Sequence, residues 1–195
     1  MKSHIGPAIR LLLLSTVVLG LIYPLVMTGL AQLIFPSQAD GSLIVRHGRV
    51  IGSRWIGQQF TSARFFQGRP SATTPPYNGS GSAATNYGPT NPALIKEVRT
   101  NLAAVLKANP GVTASQVPPS LVESSDSGQD PDISPAGAML QVPRVAKANH
   151  LPGAAVRHLV ETHIRGRFLG IFGNRYVNVL ELNLAVQALA HGHGG

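Results

Sequence analysis

LLLLSTVVLGLIYPLVMTGLAQLIF, Leu11 to Phe35, is the stretch on which the architecture of this 195-residue chain turns. It has no charged side chain, and none follows until Asp40. At ~1.5 Å per residue it forms a helix of roughly 38 Å, enough to cross a ~30 Å hydrocarbon core with some tilt. A cleaved signal peptide is the rival reading, because Gly29-Leu30-Ala31 resembles a small-x-small cleavage site. A signal core is only ~7 to 15 residues long, so the longer run reads as a retained transmembrane helix. Lys2 and Arg10 border it on one side, whereas Arg46 lies well beyond its other end. Positive flanks stay inside, so residues 1–10 are expected in the cytoplasm and everything after Phe35 outside. Within the span, Thr16, Gly20, Pro24 and Thr28 recur every fourth residue and define a shallow notch, the expected face for a partner membrane helix.

Working outward, residues 36–190 read as one mixed α+β domain and 191–195 as a disordered tail. A β-hairpin is expected from Leu43 to Ile51 around Arg46-His47-Gly48-Arg49, and an irregular loop over the Gly-, Pro- and Ser-rich segment 68–89. Asn91-Pro92 provides an N-cap and a first-turn proline for a helix to about Ala108, with Leu94, Ile95, Val98, Leu102, Val105 and Leu106 inward. A second helix is expected from Ser134-Pro135 to Asn149 with a bend at Pro143. A third starts near Pro152, with Arg157, Glu161 and Arg165 paired outside. Phe168 to Phe172 and Arg175 to Val177 read as two short strands around a turn at Gly173-Asn174. Asn178 and Glu181 have capping-box spacing ahead of a last helix ending near Ala190.

The charge balance narrows the function classes. The net charge is +8, but the sixteen Lys and Arg are scattered without a basic run, so a nucleic-acid stripe is not expected. There is no cysteine, which removes thiol catalysis and cysteine-ligated zinc. The eight acidic residues are uneven: Glu123, Asp126, Asp130 and Asp132 crowd the loop SSDSGQDPD, Ser124 to Asp132. Spacing rejects an EF-hand, since position twelve counted from Asp126 or Asp130 is Gly137 or Gln141 instead of glutamate. Neither GSGS at 79–82 nor SDSG at 125–128 carries the lysine of a P-loop. His158 and His163 are five apart, about 140° around a helix, and do not chelate one ion from one face. No GxSxG elbow accompanies the serines. A helix entrance accounts for Asp132 and Ser134, leaving Ser124 to Gly128 without a local reason.

The motifs GLIYPLVMTGLAQLIFP (20–36), ADGSLI (39–44), GSRWIGQQF (52–60), FFQGRPSAT (65–73), PYN (76–78), NPAL (91–94), the stretch Val117 to Ala138, QVPRVAKA (141–148) and VNVLELNLA (177–185) occur in order. Together they resemble the C-subunit family of the bacterial high-affinity potassium-transporting P-type ATPase, the Kdp system, over about Ile5 to Leu189. The resemblance implies an accessory, non-catalytic subunit of the inner membrane, with one span and one extracytoplasmic domain. Its partners would be a channel-like potassium-translocating subunit, the ATP-hydrolysing P-type subunit and a small single-span subunit, within membrane lipid. Potassium would be the transported ion of the complex. The resemblance also implies an alternative role: a catalytic chaperone that raises the ATP affinity of the hydrolysing subunit in a ternary complex. Gln141 would then face the nucleotide, with Ser127, Gly128 and Asp130 as further nucleotide- or partner-surface residues. Gln129 and Asp132 depart from or vary in the family pattern, so Gly128 and Asp130 carry over better. An outside domain conflicts with a cytoplasmic nucleotide, and both readings stay open at this point. Any local attraction for K⁺ is expected from Asp126 to Asp132, because the domain as a whole is basic.

Overall fold

The computed structural model describes residues 4–192. Lys2, and the part of the expected tail at 193–195, lie outside the described residues. Two compact units divide between Ser53 and Arg54.

The first unit holds the apolar helix, which runs from Ile5 to Ile34 and is long and apolar enough to cross a membrane. Helix α1 (Ile5–Val17) passes through a π-helical turn, Val18–Ile22, into α2 (Tyr23–Ile34). Its start at Ile5 makes Arg10 part of the helix. The π turn lies just before Pro24, which has no N–H to return to Gly20, and a proline in a helix interior locally opens the i→i−4 ladder. This turn alters the predicted stripe. In an uninterrupted α-helix Thr16 and Thr28 differ by roughly 120° around the axis. A turn closed by i→i+5 bonds advances less per residue, so it brings Thr16, Gly20, Pro24 and Thr28 closer to one line. No residue of α1 or α2 is buried, and a Cβ added at Gly20 meets nothing within 4 Å.

After the short α3 (Pro36–Ala39), strands β1 (Leu43–Arg46) and β2 (Arg49–Ser53) form the expected hairpin. His47 and Gly48 take positive φ at its turn. The two strands make a sheet of their own, and the unit boundary falls after them, not at residue 36.

The second unit is mixed α/β. Helix α4 (Pro92–Ala108) is capped by Asn91, whose Oδ1 accepts the Ala93 N–H at 2.8 Å. Its apolar face is only half-covered: none of its residues is buried, and Ile95 is exposed. Helix α5 (Pro135–Ala148) starts at Ser134, whose Oγ accepts the Gly137 N–H at 3.1 Å, and continues through Pro143. Helix α6 spans Gly153–His163 and α7 spans Val179–Gly192. His191 and Gly192 are therefore helical, where a disordered tail was expected.

Strands β3 (Asp132–Ile133), β4 (Ile164–Arg165) and β5 (Tyr176–Asn178) form an antiparallel sheet in the order β3-β5-β4. Val177 sits between Ile133 and Ile164. Against this sheet pack Val142 and Val145 of α5, Val156 and Val160 of α6, and Leu182 and Val186 of α7. Phe66, from the irregular segment between β2 and α4, is fully buried among them.

Three expectations are corrected here. The 168–172 run does not pair with 175–177: Phe168 bridges Phe172 across its own turn, with Leu169 and Gly170 in left-handed conformations that fold it back. Residues 176–178 pair instead with β3 and β4. The outward row Arg157, Glu161, Arg165 is broken, because α6 ends at His163 and Ile164 turns extended (φ −69°, ψ 119°). Arg165 consequently reaches Glu181 at 2.8 Å. Asn178 caps α7 by accepting the Glu181 N–H at 3.1 Å, but the Glu181 carboxylate goes to Arg54 and Arg165 instead of closing a reciprocal capping box.

Candidate functional site

Most of the motifs from the second unit converge on one assembly, built around the loop segment 63–78. Backbone groups of a loop in a protein interior need partners as much as those of a helix do. Here side chains from two helices supply them. Asn183 of α7 accepts the Phe66 N–H at 2.7 Å and donates to the Phe66 carbonyl at 2.9 Å. Gln141 of α5 accepts the Gln67 N–H at 2.8 Å and donates to the Gln67 carbonyl at 3.1 Å. Each amide thus pairs with the backbone as a neighbouring strand would, and Phe66 is held in the core.

Arg144 extends the clamp. Its guanidinium donates to the carbonyls of Ala63 and Phe65 at 2.7 and 3.0 Å, to Asn109 at 3.1 Å and to Gln141 Oε1 at 2.6 Å. Partial burial lowers its pKa, so these acceptors matter for keeping the half-buried cation. Asn149 donates to the Arg64 carbonyl at 2.7 Å and accepts from Arg64 at 3.1 Å.

The acidic loop 123–132 docks on the far end of the same segment. Arg69 pairs with Asp130 at 3.1 Å and donates to the Ser124 carbonyl at 3.0 Å. Ser71 donates to the Gly128 carbonyl at 2.6 Å, the Ser127 carbonyl accepts the Ala83 N–H at 3.1 Å, and Gln129 donates to the Asn78 carbonyl at 2.7 Å. Ser127 Oγ accepts the Gln129 N–H at 3.1 Å. Gly128 is buried at φ +67°, and a Cβ there would lie 2.6 Å from Thr73 Cγ2 and 3.0 Å from the Ala83 carbonyl. Gly57 makes a second close approach, since its Cβ would lie 2.5 Å from the Tyr77 ring. Tyr77 donates its hydroxyl to the Arg69 carbonyl at 2.5 Å. Burial, with Asp130 adding to it and Arg69 opposing, pushes the Tyr77 phenol up to about 12, so it remains a donor at any physiological pH.

The acidic residues thus have separate tasks. Asp130 holds Arg69 with one oxygen and the Asp132 N–H with the other, the latter at 2.9 Å. Asp132 accepts from Asn178 at 3.1 Å, tying β3 to β5. Burial first, then the neighbouring Asp130, raises its carboxyl to about 6, against the Asn178 hydrogen bond, which lowers it. Asp126 and Glu123 remain exposed. Of the residues offered as a cation-attracting patch, two are engaged inside the fold.

Of the predicted nucleotide- or partner-surface residues, the structure brings Ser127, Gly128 and Asp130 together in the docked loop. Gln141 stands apart: it is 1% exposed, and both atoms of its amide are engaged, with Nε2 also donating to the Gly137 carbonyl at 3.1 Å. Beside the acidic loop lies an open cleft of about 500 Å³, lined by Trp55, Arg69, Asp126, Gln129 and Asp130. Trp55 is exposed, with the Arg54 guanidinium 5.3 Å above its ring. Among the described residues, no group of three or more His, Cys, Asp or Glu could hold a metal ion.

Sequence reading missed Phe66, Arg69, Tyr77, Arg144 and Asn183. The last had a legible signal: one amide set among apolar residues on a helix, in LELNLAV, is a polar group that needs a buried partner.

Among the described residues, one apolar helix long enough to cross a membrane is followed by a mixed α/β unit with a clamped loop, an arrangement compatible with a single-pass chain. The chain belongs to the family described as K⁺-transporting ATPase, c chain, which it matches over residues 5–188. Among its relatives are proteins named potassium-transporting ATPase KdpC subunit. That of Sorangium cellulosum is 52% identical, over 96% of this chain and 98% of the relative. That of Caldanaerobacter subterraneus is 50% identical, over 95% of each, and that of Methylobacterium nodulans 48%, over 97% and 99%.

Proposed function

We propose that this chain is the accessory, non-catalytic subunit of an ATP-driven high-affinity potassium uptake complex of the bacterial inner membrane. Its N-terminus is cytoplasmic and its mixed α/β domain extracytoplasmic. It stabilises the union of the channel-like potassium-translocating subunit with the ATP-hydrolysing P-type subunit, alongside a small single-span subunit, and its domain covers the outer mouth of the translocating subunit. Family membership supports the setting. The observation that carries the assembly role is the apolar helix, which buries none of its side chains in its own chain and whose small residues are brought towards one line by the π turn. Small residues let a second membrane helix approach closely.

The alternative chaperone reading, with ATP in a ternary complex through Gln141, requires an accessible amide. The enclosed and fully engaged Gln141 favours the assembly reading.

Gly20→Leu tests the role directly. Beyond the backbone of its own helical turns, a Cβ at Gly20 meets nothing within 4 Å, so the variant is expected to fold and insert normally. Recovery of the chain with the translocating subunit after detergent extraction should fall about tenfold, the equivalent of ~1.4 kcal/mol. Undiminished recovery would remove the helix face from the account.

A further inference from the structure

The turn between β4 and β5 carries RFLGIFGNR, Arg167 to Arg175, and its apolar side chains do nothing for the fold. Phe168, Leu169, Ile171 and Phe172 are 72%, 74%, 72% and 63% exposed. The backbone is nevertheless well made: Phe168 and Phe172 exchange N–H···O bonds of 2.9 and 3.0 Å, and the Ile171 N–H reaches the Phe168 carbonyl at 3.1 Å. Leu169 is held at φ +51°, where glycine or asparagine would be less strained and a bulky residue is an outlier. A large apolar side chain held at an unfavourable backbone angle and largely exposed to solvent points to a use outside the chain.

The surrounding charge selects the occupant. From Thr162 to Leu180 there is no acidic residue, while Arg165, Arg167 and Arg175 flank the turn. Arg165 is paired with Glu181, which leaves Arg167 and Arg175 as the cations next to the tip. Behind the turn an open cleft of about 880 Å³ is lined by Arg165, Phe168, Phe172, Asn174, Tyr176 and Glu181, the acid neutralised by Arg165 and Arg54. Aromatic and aliphatic side chains on a protruding tip, with cations at their base, match the boundary between acyl chains and anionic headgroups. The chain also carries a span-length apolar helix, and covalent linkage to a bilayer keeps the tip at high effective concentration near lipid.

We propose that residues 168–172 form an interfacial anchor: Phe168, Leu169, Ile171 and Phe172 enter the headgroup–acyl boundary of an anionic bilayer, and Arg167 and Arg175 bind lipid phosphates. The inference requires the first helix to be in a membrane but no other subunit, so it stands or falls separately from the assembly role.

The absence of cysteine makes the test clean. A nitroxide is attached to Leu169→Cys in the full chain, reconstituted in vesicles of phosphatidylglycerol and phosphatidylcholine, with Ser80→Cys, an exposed loop site, as reference. The ratio of oxygen to water-soluble nickel-chelate collisions should be several-fold higher at position 169 than at position 80. Arg167→Gln and Arg175→Gln should each lower the inserted-to-exposed ratio about fivefold at low salt. An Ile171→Cys label should report the same immersion. Equal nickel access at positions 169 and 80 would overturn the proposal. So would protection that arises only when other subunits are added, which would assign the tip to a protein pocket.

Discussion

Replacing Gly128 by alanine is expected to lower the melting temperature of the full chain in detergent by about 10 °C, from a loss of about 3 kcal/mol. Two causes add. Holding an L-residue in the left-handed region costs about 1–2 kcal/mol, and φ here is +67°. Forcing a methyl group to 2.6 Å from Thr73 Cγ2 and 3.0 Å from the Ala83 carbonyl costs about 1–3 kcal/mol more. The reduced freedom of the unfolded chain returns about 0.4–1 kcal/mol. Thr73→Ser removes the nearest atom but keeps the hydroxyl that accepts the Asn78 N–H at 3.0 Å and donates to the Pro75 carbonyl at 2.9 Å. Thr73→Ser/Gly128→Ala should therefore recover part of the loss. A Gly128→Ala chain as stable as the parent would show that the two loops do not interlock as described.

Replacing Gln141 by leucine should be about as damaging, at roughly 2–4 kcal/mol, because the side chain stays similar in size while its partners lose their bonds. The Gln67 N–H and carbonyl and the Gly137 carbonyl would each lose a partner, and so would one arm of Arg144. Arg144 would keep its bonds to Ala63, Phe65 and Asn109, so the domain is expected to fold, but to melt early. In complexes that still assemble, the apparent affinity of the pump for ATP should not change. An unaltered melting temperature with weakened ATP affinity would reverse the assignment and favour the chaperone reading.

The two predictions concern residues that sequence motifs flagged for different reasons, and they show where such reading works. The span, the hairpin turn and the capped helices at Asn91-Pro92 and Ser134-Pro135 depend on near neighbours: composition, positive φ, and a side chain reaching two or three residues along. Those elements were legible. Strands β3 and β4 have two residues each, too short for any alternation, and exist because β5 pairs with both. The placement of Gln141 was not legible for a similar reason. Its partner Gln67 is 74 positions away, and nothing local distinguishes an amide that meets a ligand from one that pairs with a distant backbone. Gly128 was marked by motif position, but the need for glycine there comes from Thr73 and Ala83, which only the folded loops bring near.

The central claim is that the domain beyond the span works outside the cytoplasm, as a clamp on the complex. Ser80 is exposed on the 68–89 loop, and Ser80→Cys would be the sole thiol of the chain. Labelled in intact spheroplasts with a membrane-impermeant maleimide, it should react fully without permeabilisation. Reaction only after the membrane is broken would place the domain in the cytoplasm and contradict the account.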